Sequence, residues 1–237
     1  FINDFDKVSN EKKNIIGGIQ KLKFKNSYIF FDVGAPPDKE FSKSYQSGPL
    51  SFEYYNDEDK IVTNCGYGSK ISKKIEQISR LTSAQSSLTL NDTSATKFEK
   101  NKLINNVFGS AIKNSFKVFD FNFEENNNFF AISAKHDAYE NDFGYILKRS
   151  IKISKKNGDL IGEDNLTSTK SSKKENTYNI RFHLYPGISA VQTMGGKTIL
   201  IQVQKNKSLM FSTNGDNLSI EKSIFLGKNK IINNFCI

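Results

Sequence analysis

Three apolar runs of strand length crowd between Tyr28 and Gly68, and each is closed off by turn-forming residues. Tyr28–Val33, Leu50–Tyr55 and Ile61–Cys65 are separated by Gly, Pro, Asn and Asp punctuation. Leu50-Ser51-Phe52-Glu53 alternates, so Leu50 and Phe52 share one face while Ser51 and Glu53 point away. Asn56-Asp57-Glu58-Asp59 then reverses the chain, and Lys60–Cys65 pairs back as a hairpin. The stretch predicts sheet at the heart of an all-β domain.

The rest of the chain reads the same way. Residues 1–18 are polar, close on Gly17-Gly18, and read as a linker into a single domain over residues 19–237. Ile19–Phe24 alternates as a half-buried strand, while Ile71–Arg80 reads as either a short helix or an irregular strand. Ser86–Leu90 is a strand, and Lys97–Asn114 is a polar excursion anchored by Val107-Phe108. Phe116–Phe123 alternates, with Phe116, Val118 or Phe119, Phe121 and Phe123 available to the core; it turns at Glu124–Asn128 and returns as Phe129–Ala134. Further strands are expected at Tyr145–Ser154, Leu160–Leu166, Tyr178–Leu184, Ile188–Thr193, Thr198–Val203, Leu209–Ser212 and Leu218–Leu226. Asn157-Gly158, Gly195-Gly196 and Asn214-Gly215 punctuate them, the Asn-Gly pairs suiting type I′ hairpins. Thr167–Asn176 reads as the most flexible loop. Short strands at this spacing predict a large antiparallel β-sandwich (a super-sandwich of two packed sheets). Phe31, Leu50, Phe52, Val62, Phe121, Ile132, Ile151, Phe182 and Ile201 are expected to face inward.

Composition narrows the class. A hydrophobic content of 37% with 20 Phe in 237 residues supports a packed globule rather than disorder. No apolar run approaches the roughly 20 residues of a membrane helix, so no membrane span is expected. The formal net charge of +9 suits a polyanion partner or, equally simply, a solvated lysine-rich surface. The lysines are spread thinly and no nucleic-acid motif accompanies them, which argues against a nucleic-acid partner. Cys65 and Cys236 could pair or remain free and buried; neither lies in a CxxC context. The chain opens on Phe1 and ends on a strand-like segment, so both ends read as cut from something longer, and a missing signal peptide is uninformative.

The wording of several blocks resembles the C-terminal β-domain of heparinase II/III-like polysaccharide lyases. One bacterial branch carries D-x-G-x-P-P, then H-A-G-x-L-S-F-E, then V-N-C-G. Here these stand as Asp32-Val33-Gly34-Ala35-Pro36-Pro37, Gln46-Ser47-Gly48-Pro49-Leu50-Ser51-Phe52-Glu53 and Thr63-Asn64-Cys65-Gly66. The blocks Thr82–Ala95, His136–Tyr139, Gly144–Leu166 and Arg181–Ala190 follow in the order of the branch. The resemblance implies a sandwich that helps bind acidic, uronate-containing polysaccharide or cell-envelope glycan for β-elimination. It implies a partner too: a helical toroid, N-terminal in the full-length chain, that carries most of the Tyr/His chemistry. In some members the β-domain also holds zinc through His, Asp and His. The positions that match those ligands and the cleft histidine are Ser44, Gln46, Asn64 and Gln85. All four hold neutral groups that bind transition metals poorly and do not titrate near neutral pH, so no zinc and no cofactor are expected. The resemblance leaves the compartment open, periplasmic or cytoplasmic in a bacterium.

Gln46 and Gln85 remain able to hydrogen-bond sugar hydroxyls, or else are ordinary polar residues satisfied by backbone. His136-Asp137-Ala138-Tyr139 follows a strand, and the resemblance puts His136 and Tyr139 at the cleft, with Arg149 pairing a carboxylate bidentately. The competing reading is a structural loop in which Asp137 or Tyr139 caps backbone groups. Arg181 and His183 share a strand face; Arg181 joins the candidate substrate-binding set, and a lone strand histidine is more often a packing residue. Two functions therefore stand: the β-domain of a lyase whose catalytic half lies elsewhere, or a non-catalytic carbohydrate-binding or structural domain derived from it.

Overall fold

A computed structural model describes residues 15–101, 105, 110–170 and 175–237. The Val107-Phe108 anchor and the middle of the 167–176 loop lie outside them. In chain order the first strands are β1 (Ile15–Ile16), β2 (Ile19–Phe24), β3 (Ser27–Asp32), β4 (Phe52–Asn56), β5 (Asp59–Thr63) and β6 (Leu88–Leu90). Then come β7 (Val118–Glu125), β8 (Phe129–Tyr139), β9 (Tyr145–Ser154), β10 (Leu160–Ser168), β11 (Tyr178–Ile180) and β12 (His183–Leu184). The last are β13 (Ser189–Gln192), β14 (Thr198–Gln204), β15 (Lys207–Ser212), β16 (Glu221–Gly227) and β17 (Lys230–Cys236). Of the segment read as a linker, residues 15–16 form β1 and Gly17-Gly18 turn it into β2.

The expected all-β sandwich is present. One sheet of eight strands runs in the order β1-β2-β3-β4-β5-β12-β17-β16. The remaining strands do not form the one large sheet expected: they are divided into β10-β9-β8-β7, β13-β14-β15 and the pair β11-β6. Leu22, Ile29, Phe31, Phe52 and Val62 of the eight-stranded sheet pack in one cluster with Ile132 and Ile151 of the four-stranded sheet and Ile199 and Ile201 of the three-stranded one. Phe121 and Phe182 are half-buried against the same cluster. A second cluster, with Leu88, Leu90, Phe116, Tyr139 and Leu147, lies under the small sheet.

Local chemistry explains the departures. In β7 the register slips between Phe119 and Asn122, and Asp120 takes φ 52°. This bulge sends Phe121 inward and leaves Phe123 45% exposed. None of the glycine pairs makes a type I′ loop with both central residues at positive φ. Asn91-Asp92 (φ 50° and 52°) and Lys228-Asn229 (φ 51° and 60°) do so instead. The ambiguous segment at 71–80 is a helix over Lys73–Ser79, started by Ser72, whose hydroxyl accepts the Ile75 N–H. Cys65 and Cys236 are both free and buried.

Candidate functional site

The four motif positions meet in one cleft. Ser44, Gln46, Asn64 and Gln85 line a cavity of about 630 Å³ together with Asp32, Tyr45, Glu53 and Lys60. Its floor is the end of the sheet where β3 and β4 run out, and its wall is the D-x-G-x-P-P turn. Asp32 closes β3 and its Oδ1 accepts the Gly34 N–H at 2.9 Å, which bends the chain out of the ladder. Val33 N–H donates to the Gly18 carbonyl at 2.8 Å. A Cβ on Gly18, at φ +84°, would lie 2.7 Å from the Gly34 Cα, so that crossing needs glycine.

The amides are tied into the wall. Gln46 Nε2 donates to the Gly66 carbonyl (2.8 Å) and the Ser79 carbonyl (3.2 Å), and Gln85 Nε2 donates to the same Ser79 carbonyl at 2.9 Å. Asn64 Oδ1 accepts the Ser86 N–H at 2.8 Å, and its Nδ2 lies 3.4 Å from Ser51 Oγ. The charged part of the cleft is Glu53, which pairs with Lys60 at 2.7 Å and accepts from Thr63 Oγ1 and Asn64 N. Asp32 adds a carboxyl pushed up to about 7 by burial, with the Gly34 N–H pulling the other way. The Tyr45 phenol is raised by burial and then by the Asp32 charge. Asp32, Glu53 and Lys60 were not expected at the site. Asp32 and Glu53 stood inside the quoted motifs, and that was the available signal.

The family model described as heparinase II/III-like, C-terminal, matches residues 16–234. The chain belongs to this family. Its fold is similar to that of heparan sulfate lyase HepC from Pedobacter heparinus: TM-score 0.70, 14% identity, covering 97% of this chain and 34% of that one. Heparinase III matches at TM-score 0.65 and 13% identity, covering 92% of this chain and 32% of that one. The chain thus spans about a third of the length of these solved lyases, and at such identity the likeness is one of fold. No curated protein matches the chain.

In this heparinase II/III-like domain the other candidates lie away from the cleft. The segment expected as a loop, His136–Tyr139, is the end of strand β8. His136 is fully buried, with Phe116 at 5.7 Å and Tyr139 at 5.5 Å between ring centroids; its Nδ1 accepts the Ala138 N–H at 3.2 Å. Burial, and after it the Arg149 charge, lowers its pKa to about 3. The Tyr139 hydroxyl reaches the Leu88 carbonyl at 3.0 Å, and Asp137 Oδ1 accepts the Lys117 N–H. Arg149 makes a bidentate pair, but with Asp164 of the neighbouring strand: Nε to Oδ1 and Nη2 to Oδ2, both 2.7 Å. Arg181 lines a separate cavity of about 480 Å³ and donates to Thr89 Oγ1 at 2.9 Å. His183 is buried; Nε2 meets the Ser83 carbonyl at 3.0 Å, so Nδ1 is left as the acceptor facing Ser223 Oγ at 2.9 Å and Cys65 Sγ at 3.4 Å. Of the candidates, the structure brings Gln46 and Gln85 together and leaves His136, Tyr139, Arg149 and Arg181 elsewhere.

The zinc that the resemblance implies for some members does not fit the cleft. Its matched positions offer neutral amides, whose oxygens are poor zinc ligands, and the Asn64 oxygen already accepts the Ser86 N–H. Among the described residues no helix is long and apolar enough to cross a membrane.

Proposed function

We propose that this is the β-sandwich domain of a heparinase II/III-like polysaccharide lyase. It helps to hold an acidic, uronate-containing polysaccharide for β-elimination, and the main catalytic residues reside in an N-terminal helical toroid. What supports the reading is the convergence of the motif positions Ser44, Gln46, Asn64 and Gln85 on one cleft that also carries the Glu53–Lys60 pair. Similar folds belong to a heparan sulfate lyase and a heparinase. A non-catalytic carbohydrate-binding or structural role is the second reading, and the use of both glutamine Nε2 groups on backbone carbonyls favours its structural form.

Abstraction of the proton α to a uronate carboxyl needs a positioned base and a group that neutralises the carboxylate. The chain alone should therefore form no unsaturated product from a panel of uronate polymers, while binding them more weakly as salt rises. Product formed by the chain alone, and lost in Asp32→Asn, would show that this domain supplies its own base. The purified chain should also hold no stoichiometric zinc. Elemental analysis giving about one zinc per chain, lost in Gln85→Ala, would reverse that expectation.

A further inference from the structure

The outward face of the eight-stranded sheet carries side chains that the core does not use. Alternation sets Lys21 and Lys23 of β2, Tyr28 and Phe30 of β3, and Tyr55 of β4 opposite the buried Leu22, Ile29, Phe31 and Tyr54. Register aligns them in two rows. Lys21, Phe30 and Glu53 form one; Lys23, Tyr28, Tyr55 and Lys60 form the next. The row before the first is the pair Ile19 and Asp32, and Ile19, Asp32, Glu53 and Lys60 all line the cleft. Rows of one strand face are about 7 Å apart, so the surface leads away from the cleft in two short steps.

The chemistry of this face is aromatic and cationic. Lys21 and Lys23 both hold their Nζ over the Tyr28 ring, 5.3 and 5.4 Å from its centroid. Lys60 Nζ lies 5.4 Å from the Tyr55 centroid, and Phe30 meets Tyr55 edge-on at 5.7 Å. Each ammonium is attracted to the ring face, yet two like charges on one ring repel each other. Among the described residues neither Lys21 nor Lys23 forms an ion pair that would offset this. An anionic group seated between them would relieve the repulsion. The rings beside them offer apolar faces of the kind that the C–H faces of a sugar cover.

We propose that this face is a binding track for an acidic polysaccharide: a polymer lying in the cleft continues over Phe30 and Tyr28 with its carboxylate or sulfate groups on Lys21 and Lys23. The proposal rests on the function given above and adds the second contact surface. It follows that affinity grows with chain length and that the growth depends on these two lysines.

Calorimetric titration of the chain with a uronate disaccharide and the matching octasaccharide, at low and moderate salt, tests it. The octasaccharide should bind about tenfold more tightly or better. Lys21→Gln with Lys23→Gln should remove about tenfold of its affinity and flatten its salt dependence, leaving the disaccharide unchanged. Both lysines are exposed, and an unchanged melting curve checks that the variant folds. Octasaccharide affinity equal in variant and wild type would overturn the track and leave the cleft reading standing. Failure of the wild type to bind either oligosaccharide would overturn both. Duplex DNA binding as tightly as the octasaccharide, and losing the same factor in the variant, would mark a general polyanion surface and overturn the track as well.

Discussion

Arg149→Met should lower the unfolding free energy by about 3–5 kcal/mol, the range for stranding one partner of a buried ion pair. The Arg149 and Asp164 side chains are 3% and 8% exposed, so neither charge has water to fall back on. Nη1 of Arg149 also donates to the Leu50 carbonyl at 3.0 Å and the Ser86 carbonyl at 2.9 Å. One guanidinium thus ties β9 and β10 to the segments that enter β4 and β6, in three different sheets. The variant leaves a buried carboxylate and two carbonyls without that donor. Adding Asp164→Leu should recover part of the loss by removing the stranded charge. Urea unfolding measures both, and a loss under about 1 kcal/mol for the single variant would sink the argument.

Acid should unfold the domain through its two histidines. His136 is held down to about 3 and His183 to about 4, in each case chiefly by burial, against an ordinary value near 6.5. Both are neutral in the fold, and the unfolded chain takes up their protons first. Stability is therefore fully present above about pH 6.5 and is lost as the pH falls from there toward 4 and 3. Asp32 acts in the opposite sense. Its folded value of about 7 lies above the ordinary 3.8, so its contribution is present at low pH and fades as pH rises across that window. Two groups against one give a net loss of several kcal/mol on acidification, falling mainly between about pH 6 and 4. Melting temperatures from pH 8 to 4 would show it, and His136→Phe should leave the profile nearly flat between about pH 6 and 4, because one histidine then stands against Asp32. A melting temperature flat down to pH 5 would contradict the assignment.

How much of this could be read beforehand differs by element. β2 and β9 fall on the residues that alternation marks, because each presents one face to the core and the pleat repeats every second residue. The same period runs on through β8: Ile132, Ala134 and His136 are buried in step. A polar residue in that series hid the continuation and made a buried strand end look like a loop. The bulge at Asp120 breaks the period in β7 without a glycine to announce it. The division of the remaining strands into three sheets depends on pairings such as Leu88 with Ile180, and no local pattern encodes so distant a partner. In the cleft, the resemblance alone marked residues 44, 46, 64 and 85, since nothing in their spacing shows that they meet. Asp32, Glu53 and Lys60 occupy outward positions of strands, where charge is ordinary and carries no signal by itself.

The strand β12 is two residues long, yet it joins the N-terminal five strands to the C-terminal pair: His183 aligns with Thr63 on one side and Cys236 on the other. This has a cost during synthesis. The edge of β5, with Ile61, Val62 and Thr63 all buried in the finished fold, has no neighbour until the ribosome reaches His183, which follows Cys65 by 118 residues. At about 5–20 residues per second, that interval is on the order of ten seconds. For that time an apolar strand edge of the kind that templates intermolecular pairing is open. The nascent chain is therefore open to aggregation at a hairpin whose apolar residues the mature domain buries.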